Sequence, residues 1–178
     1  VSRLNKPEVS YFFTGKFAQL LSSFKLVEYQ NLRMLNLVLF GIILLLVLRY
    51  QQAQLLAVPL LLSPQLWYVF SYCNSDAFAL FISLLAGFQL VLPDSSLNSF
   101  LTGQKQRGWV VRILLIGLLF SMLILMKKNY YFFILFLLGY VVWKLVFDEF
   151  LLNRIEYVKR LALVVVIALG FAGLRVGA

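Results

Sequence analysis

The chain has 178 residues, of which 62% are hydrophobic and 13% charged, and its mean hydropathy is +0.91. A soluble domain has about half apolar and about a quarter charged residues, so the composition excludes an ordinary soluble protein. The net charge is +9, but its basic residues separate long apolar runs, where they orient a membrane protein rather than bind nucleic acid.

The first 31 residues form a more polar segment that we expect to lie outside the cytoplasm. Within it, aromatic and leucine residues recur every three or four positions from Tyr11 to Phe24, with Lys16, Gln19 and Ser23 between them. This spacing predicts an amphipathic helix at the membrane interface. The chain opens inside this polar segment without an initiator Met, which favours a fragment of a longer protein.

Residues 32–178 read as a transmembrane domain. A hydrocarbon core of about 30 Å requires roughly 20 helical residues, and apolar runs near that length recur along the chain. We predict six spans in an all-α, polytopic helical bundle: Leu32–Leu48, Ala53–Tyr72, Ala77–Leu92, Val110–Met126, Tyr130–Phe147 and Leu161–Leu174. In the second span, Pro59 and Pro64 predict a kink or a break.

Short loops that are rich in Lys and Arg favour the cytoplasmic side. Alternating the six spans places these basic residues together on that side: Arg49, Lys105, Arg107, Arg112, Lys144, Arg154, Lys159 and Arg160. The amphipathic segment, the turn at residues 72–76 and the pair Lys127-Lys128 then share the opposite face. We therefore expect Asp76 and the two lysines to lie on one side of the membrane.

Asp76, Lys127 and Lys128 are the candidate functional residues, since charges near membrane depth usually have a partner or a task. Each also has a structural explanation. Asp76 follows Asn74 and Ser75, and all three are suited to the N-terminus of the third span. The lysines at the end of the fourth span are suited to reaching the lipid headgroups.

The order of several short motifs resembles the GT-C superfamily of membrane glycosyltransferases and related bacterial membrane proteins. The motifs are the aromatic stretch at residues 6–13, the Arg33-x-x-Asn36 helix start, the Asn74-x-Asp76 turn and the Lys127-Lys128 helix end. The resemblance covers most of the chain. It implies an enzyme of the bacterial inner membrane, with a periplasmic site and a sugar donor linked to polyprenyl phosphate.

The resemblance also implies roles for the candidate residues. Asp76 would orient the acceptor or a divalent cation, and Lys128 or Lys127 would bind the donor phosphate. The acid that serves as base in that superfamily lies in the first outer loop close to the first helix, a region that the resemblance places before residue 1. The alternative from another class is a non-enzymatic membrane protein, either a transporter fragment or a structural subunit, since Pro59 and Pro64 suit the broken helices of transporters.

Overall fold

The computed structural model of the chain describes residues 9–22, 27–104, 108–125, 131–147 and 153–176. These residues are mostly α-helical and contain no β-strand, which confirms the predicted all-α class. A 3-10 helix occupies Gln51–Leu56. The α-helices are α1 (Val9–Leu21), α2 (Glu28–Arg49), α3 (Ala57–Leu62), α4 (Pro64–Ser71), α5 (Ser75–Val91), α6 (Ser96–Leu101), α7 (Trp109–Ile124), α8 (Tyr131–Phe147) and α9 (Arg154–Val176).

Two helices of the described part of the chain are long and apolar enough to cross a membrane on their own. They are α2, over Tyr29–Arg49, and α9, over Arg154–Leu174. The helices α5, α7 and α8 are more apolar still but have only 16 or 17 residues. The described residues thus contain two candidate spans, and a third if the broken segment before α5 counts as one.

That broken segment lies where the sequence predicts a kink or a break. Gln51–Leu62 and Pro64–Ser71 meet at an angle of 83° around Ser63. Pro64 is the first residue of α4, and the Ser63 side chain accepts a hydrogen bond from the Leu66 amide as its N-cap. Proline favours this position because it needs no N–H partner there, so Pro64 starts a new helix instead of continuing α3.

The chain divides into two compact units, Val1–Phe81 and Ile82–Ala178, with the division inside α5. In the first unit, α1 packs against α2. Its Ser10 and Thr14 side chains are buried, whereas Tyr11, Phe12 and Leu20 are exposed. A helix is thus present where the sequence predicts an amphipathic one, and its interfacial location stays a prediction, as does the domain boundary after residue 31.

In the second unit, α7 packs closely against α9. Gly117 makes this possible, because a Cβ atom at that position would overlap the Ile167 side chain. Over their described lengths, α8 and α9 are not packed in this way. The second unit therefore contains the closely packed pair α7 and α9, whereas α8 lies farther from α9.

The short helix α6 is tied to α8 and α9 at one end of the second unit. Lys144 of α8 donates a hydrogen bond of 2.7 Å to the Asn98 side-chain oxygen. Arg160 of α9 donates one of 2.8 Å to the Phe100 carbonyl and pairs with Glu156. These contacts gather two basic residues that the sequence assigns to one side of the membrane, although the side itself stays a prediction.

Candidate functional site

The candidate site lies in the first unit, where α2 meets the turn between α4 and α5. Asn36 of α2 is 2% exposed, and its side-chain amide donates hydrogen bonds of 2.6 Å to the Tyr72 carbonyl and 3.4 Å to the Asn74 carbonyl. Backbone carbonyls in a turn have no helical partner and must be satisfied in some other way. Asn36 therefore fixes the turn against the side of α2.

Asn74 joins the two helices on either side of this turn. Its side-chain oxygen accepts a hydrogen bond of 2.9 Å from the Ala77 amide, and its side-chain nitrogen donates one of 3.0 Å to the Val69 carbonyl. The first bond caps α5 and the second binds the end of α4. Of the three polar residues that the sequence suggests for this N-terminus, Asn74, Ser75 and Asp76, it is thus Asn74 that caps α5.

Asp76 lies in the first turn of α5 and is half-buried. Its position beside the positive end of the helix dipole favours a negative charge. Since Asn74 caps the helix, the acid at position 76 is not required for that bond. The place of Asp76 in the fold is therefore compatible with the predicted contact to an acceptor or a cation, which stays a prediction.

Arg33 lies one turn before Asn36 on α2. In the sequence it is marked only as part of the Arg-x-x-Asn motif. Its guanidinium carbon lies 5.1 Å from the centre of the Tyr72 ring and 5.5 Å from that of the Tyr29 ring. Aromatic faces attract cations at this distance. Arg33 is therefore held at the same turn that Asn36 fixes, and the Arg-x-x-Asn spacing was the available signal for it.

Three buried side-chain oxygens of this unit have no hydrogen-bond partner among the described residues. They are Ser10 Oγ, Asn31 Oδ1 and Ser75 Oγ. Buried polar atoms are nearly always satisfied by protein, water or ligand. Ser75, which directly precedes Asp76, thus has hydrogen-bonding capacity that the described protein atoms do not use.

The other predicted site residues, Lys127 and Lys128, lie outside the described residues. Of the predicted group, the structure therefore places Asp76 alone, and it adds Arg33, Asn36 and Ser75 around the same turn. Within the described ranges, no group of three or more Cys, Asp or Glu side chains is arranged to hold a metal ion.

Comparison with known proteins gives no family for this chain. No model of a protein family, no curated protein and no solved structure matches it significantly. The class that the fold defines is therefore a helical protein with candidate membrane-spanning helices.

Proposed function

We propose that the chain is part of an integral membrane glycosyltransferase of the GT-C type. It would transfer a sugar from a polyprenyl-phosphate donor to an acceptor outside the cytoplasm, in the inner membrane of a bacterium and with its site facing the periplasm. The observation that supports this most is the Asn36 side chain, which joins the Arg-x-x-Asn motif inside α2 to the Asn-x-Asp turn. Two motifs distant in sequence thus belong to one local structure.

The chemistry of this turn suits sugar transfer. A carboxylate at Asp76 orients an acceptor hydroxyl, and the unused Ser75 hydroxyl lies next to it in sequence. A cation close to the departing phosphate stabilises the charge that develops there. In the proposal, Lys128 or Lys127 supplies this cation, and Arg33 provides a further positive charge at the turn.

The proposal includes six membrane crossings. Besides α2 and α9, they comprise the broken segment at residues 51–71 and the shorter helices α5, α7 and α8. A helix of 16 or 17 residues is about 25 Å long, close to the lower limit for crossing a hydrocarbon core. Local thinning of the bilayer accommodates a small mismatch of this kind.

The direct test is sugar transfer by the Asp76→Asn variant in membranes containing the protein and a polyprenyl-phosphate sugar. Since Asn74 caps α5, the variant should fold, and transfer should fall by at least about a hundredfold, as expected for a positioning or acid-base group. Asp94→Asn, at an exposed position after α5, is the matched control and should retain activity. Full transfer by Asp76→Asn would remove the acid from the mechanism.

A transporter is the second candidate, and the 83° bend at Ser63 favours it. Transporters use discontinuous helices of this kind to bind solutes near the middle of the bilayer. This function predicts that the purified wild-type protein in liposomes moves a solute and neither binds polyprenyl phosphate nor transfers sugar. Transfer that depends on Asp76 would contradict it.

A further inference from the structure

The second unit contains a cavity of about 230 Å³ between α5, α6, α7, α8 and α9. Its lining is entirely apolar and includes Phe120, Leu137, Val141, Val164 and Ala168. A cavity of about 150 Å³ lined by such side chains stays dry and accepts an apolar ligand. The space between these helices is therefore suited to hydrocarbon rather than to water.

The cavity has an exposed border on one side. Leu138 of α8 and Val165 of α9 both line it, and they are 52% and 44% exposed. Both helices are apolar along most of their length, and α9 is a candidate span. In a bilayer this border would face lipid chains, so a chain can enter from the side.

A cation lies at one end of the cavity. Lys144 follows the lining residue Val141 by one helical turn, and its ammonium group donates 2.7 Å to the side chain of Asn98, the neighbour of the lining residue Leu97. The ammonium nitrogen also lies 5.9 Å from the centre of the buried Tyr157 ring. The half-buried charge is thus anchored beside the apolar space by an amide oxygen and an aromatic ring.

The charges around this end are mostly positive among the described residues. Arg160 binds the Phe100 carbonyl and Glu156, and Arg154 and Lys159 are exposed on the first turns of α9. An apolar cavity with a cation at its end matches one kind of molecule, which is an amphiphile with a hydrocarbon chain and an anionic head.

We propose that this cavity binds one acyl chain of an anionic phospholipid from the surrounding bilayer, with the lipid phosphate at Lys144. The inference does not depend on the proposed glycosyltransferase activity. It predicts a lipid that co-purifies with the protein and stabilises it, because a ligand that binds only the folded state raises its stability.

The test uses the purified wild-type protein in detergent, with dioleoylphosphatidylglycerol and dioleoylphosphatidylcholine as probes. Lipid binding is measured by native mass spectrometry, and Tm by thermal unfolding. We expect the anionic lipid to bind and to raise Tm, and the zwitterionic lipid to do so much less. Equal binding of the two lipids, both of which carry a phosphate, would overturn the assignment of an anionic headgroup to this site.

Three variants distinguish binding of the lipid headgroup from binding of its acyl chain. Lys144→Gln should weaken phosphatidylglycerol binding about tenfold to a hundredfold, the range for a charged hydrogen bond, and Lys144→Arg should restore most of it. Ala168→Leu places a larger side chain in the cavity and should abolish binding. Lys16→Gln, at an exposed basic position on α1 of the first unit, is the matched control and should bind as the wild type does.

Two results would overturn the proposal. The first is unchanged phosphatidylglycerol binding in both Lys144→Gln and Ala168→Leu, which would place the lipid elsewhere on the surface. The second is a site that binds polyprenyl phosphate with the same dependence on Lys144 but rejects phosphatidylglycerol. If Ala168→Leu fails to fold, phosphatidylglycerol binding by Lys144→Gln and Lys144→Arg still tests the proposal.

Discussion

Gly117 of α7 lies so close to Ile167 of α9 that no side chain larger than hydrogen fits between the two helices. Gly117 is also buried within α7. Without a strong hydrophobic driving force in lipid, such close approach is one of the main sources of helix association. The close packing of α7 against α9 therefore depends on Gly117.

We expect Gly117→Ala to destabilise the protein by about 1–3 kcal/mol through overpacking, despite the better helix propensity of alanine. Gly139→Ala on α8 is the matched control, because a Cβ there meets nothing within 4 Å. It should leave stability unchanged or slightly raised. Thermal unfolding in detergent measures both, and equal Tm values for the two variants would contradict the close contact.

The Asn36 contact gives a second prediction. Asn36→Leu keeps the branching of the side chain at Cγ but cannot donate to the Tyr72 carbonyl, which would then be left without this partner. The expected loss of stability is about 1–3 kcal/mol, the cost of an unsatisfied buried polar group. Gln30→Leu, at an exposed position on the same helix, should change it little. Unfolding in detergent provides the comparison.

Arg160 allows two contacts of one side chain to be separated. Glu156→Gln removes only the partly exposed ion pair and should cost less than about 0.5 kcal/mol. Arg160→Gln also removes the charged hydrogen bond to the Phe100 carbonyl and should cost about 1.5–3 kcal/mol. The difference in unfolding free energy between the variants measures the contact with α6. Equal losses would mean that this contact contributes nothing.

Substitutions of Lys127 and Lys128, at the end of the fourth predicted span, distinguish phosphate binding from anchoring of the helix at the lipid headgroups. Neighbouring residues on a helix point about 100° apart, so only one of the two would face the bundle, and we expect it to be Lys128. Lys128→Gln should weaken binding of polyprenyl phosphate to the purified protein by about 1.5–3 kcal/mol, and Lys127→Gln should have little effect. Equal, small effects would identify a pair that only anchors the helix.

Orientation is tested by thiol labelling of intact cells in a Cys73→Ser background. A cysteine at the exposed position Gln104 should stay unlabelled by an impermeant reagent until the cells are opened, because the basic residues around it favour the cytoplasm. A cysteine at Asn129 should label from outside. The reverse pattern would invert the predicted topology, including the side assigned to Asp76.

The long helices were predictable, because long apolar runs bounded by charge leave few alternatives in a membrane. The short helix α6 lies between two predicted spans and was not predicted. The helix α9 was predicted from Leu161 but begins at Arg154. Its first two turns contain four charged residues, and the Glu156–Arg160 pair among them supports helix outside the apolar run. Apolar periodicity carries no information about such turns.

The site was only partly predictable. The polar residues at Asn74 and Asp76 predicted the turn. The contact of Asn36 with that turn was not predictable, because it joins residues that are distant in sequence and no local pattern encodes it. The cavity beside Lys144 likewise results from the spacing of α8 and α9. Helix spacing depends on side chains from several elements at once, so single-sequence periodicity does not reveal it.

The contact between Asn36 and the Tyr72 carbonyl also sets a depth. Asn36 lies seven residues inside the candidate span that starts at Tyr29, so the turn it holds is about 10 Å below that end of α2. In the proposed six-span arrangement, the helix that begins there has less of the bilayer left to cross, so that the 17 residues of α5 would suffice. If α2 crosses the membrane, Asp76 lies below the surface of the bilayer, and a soluble partner must reach down to that depth to contact it.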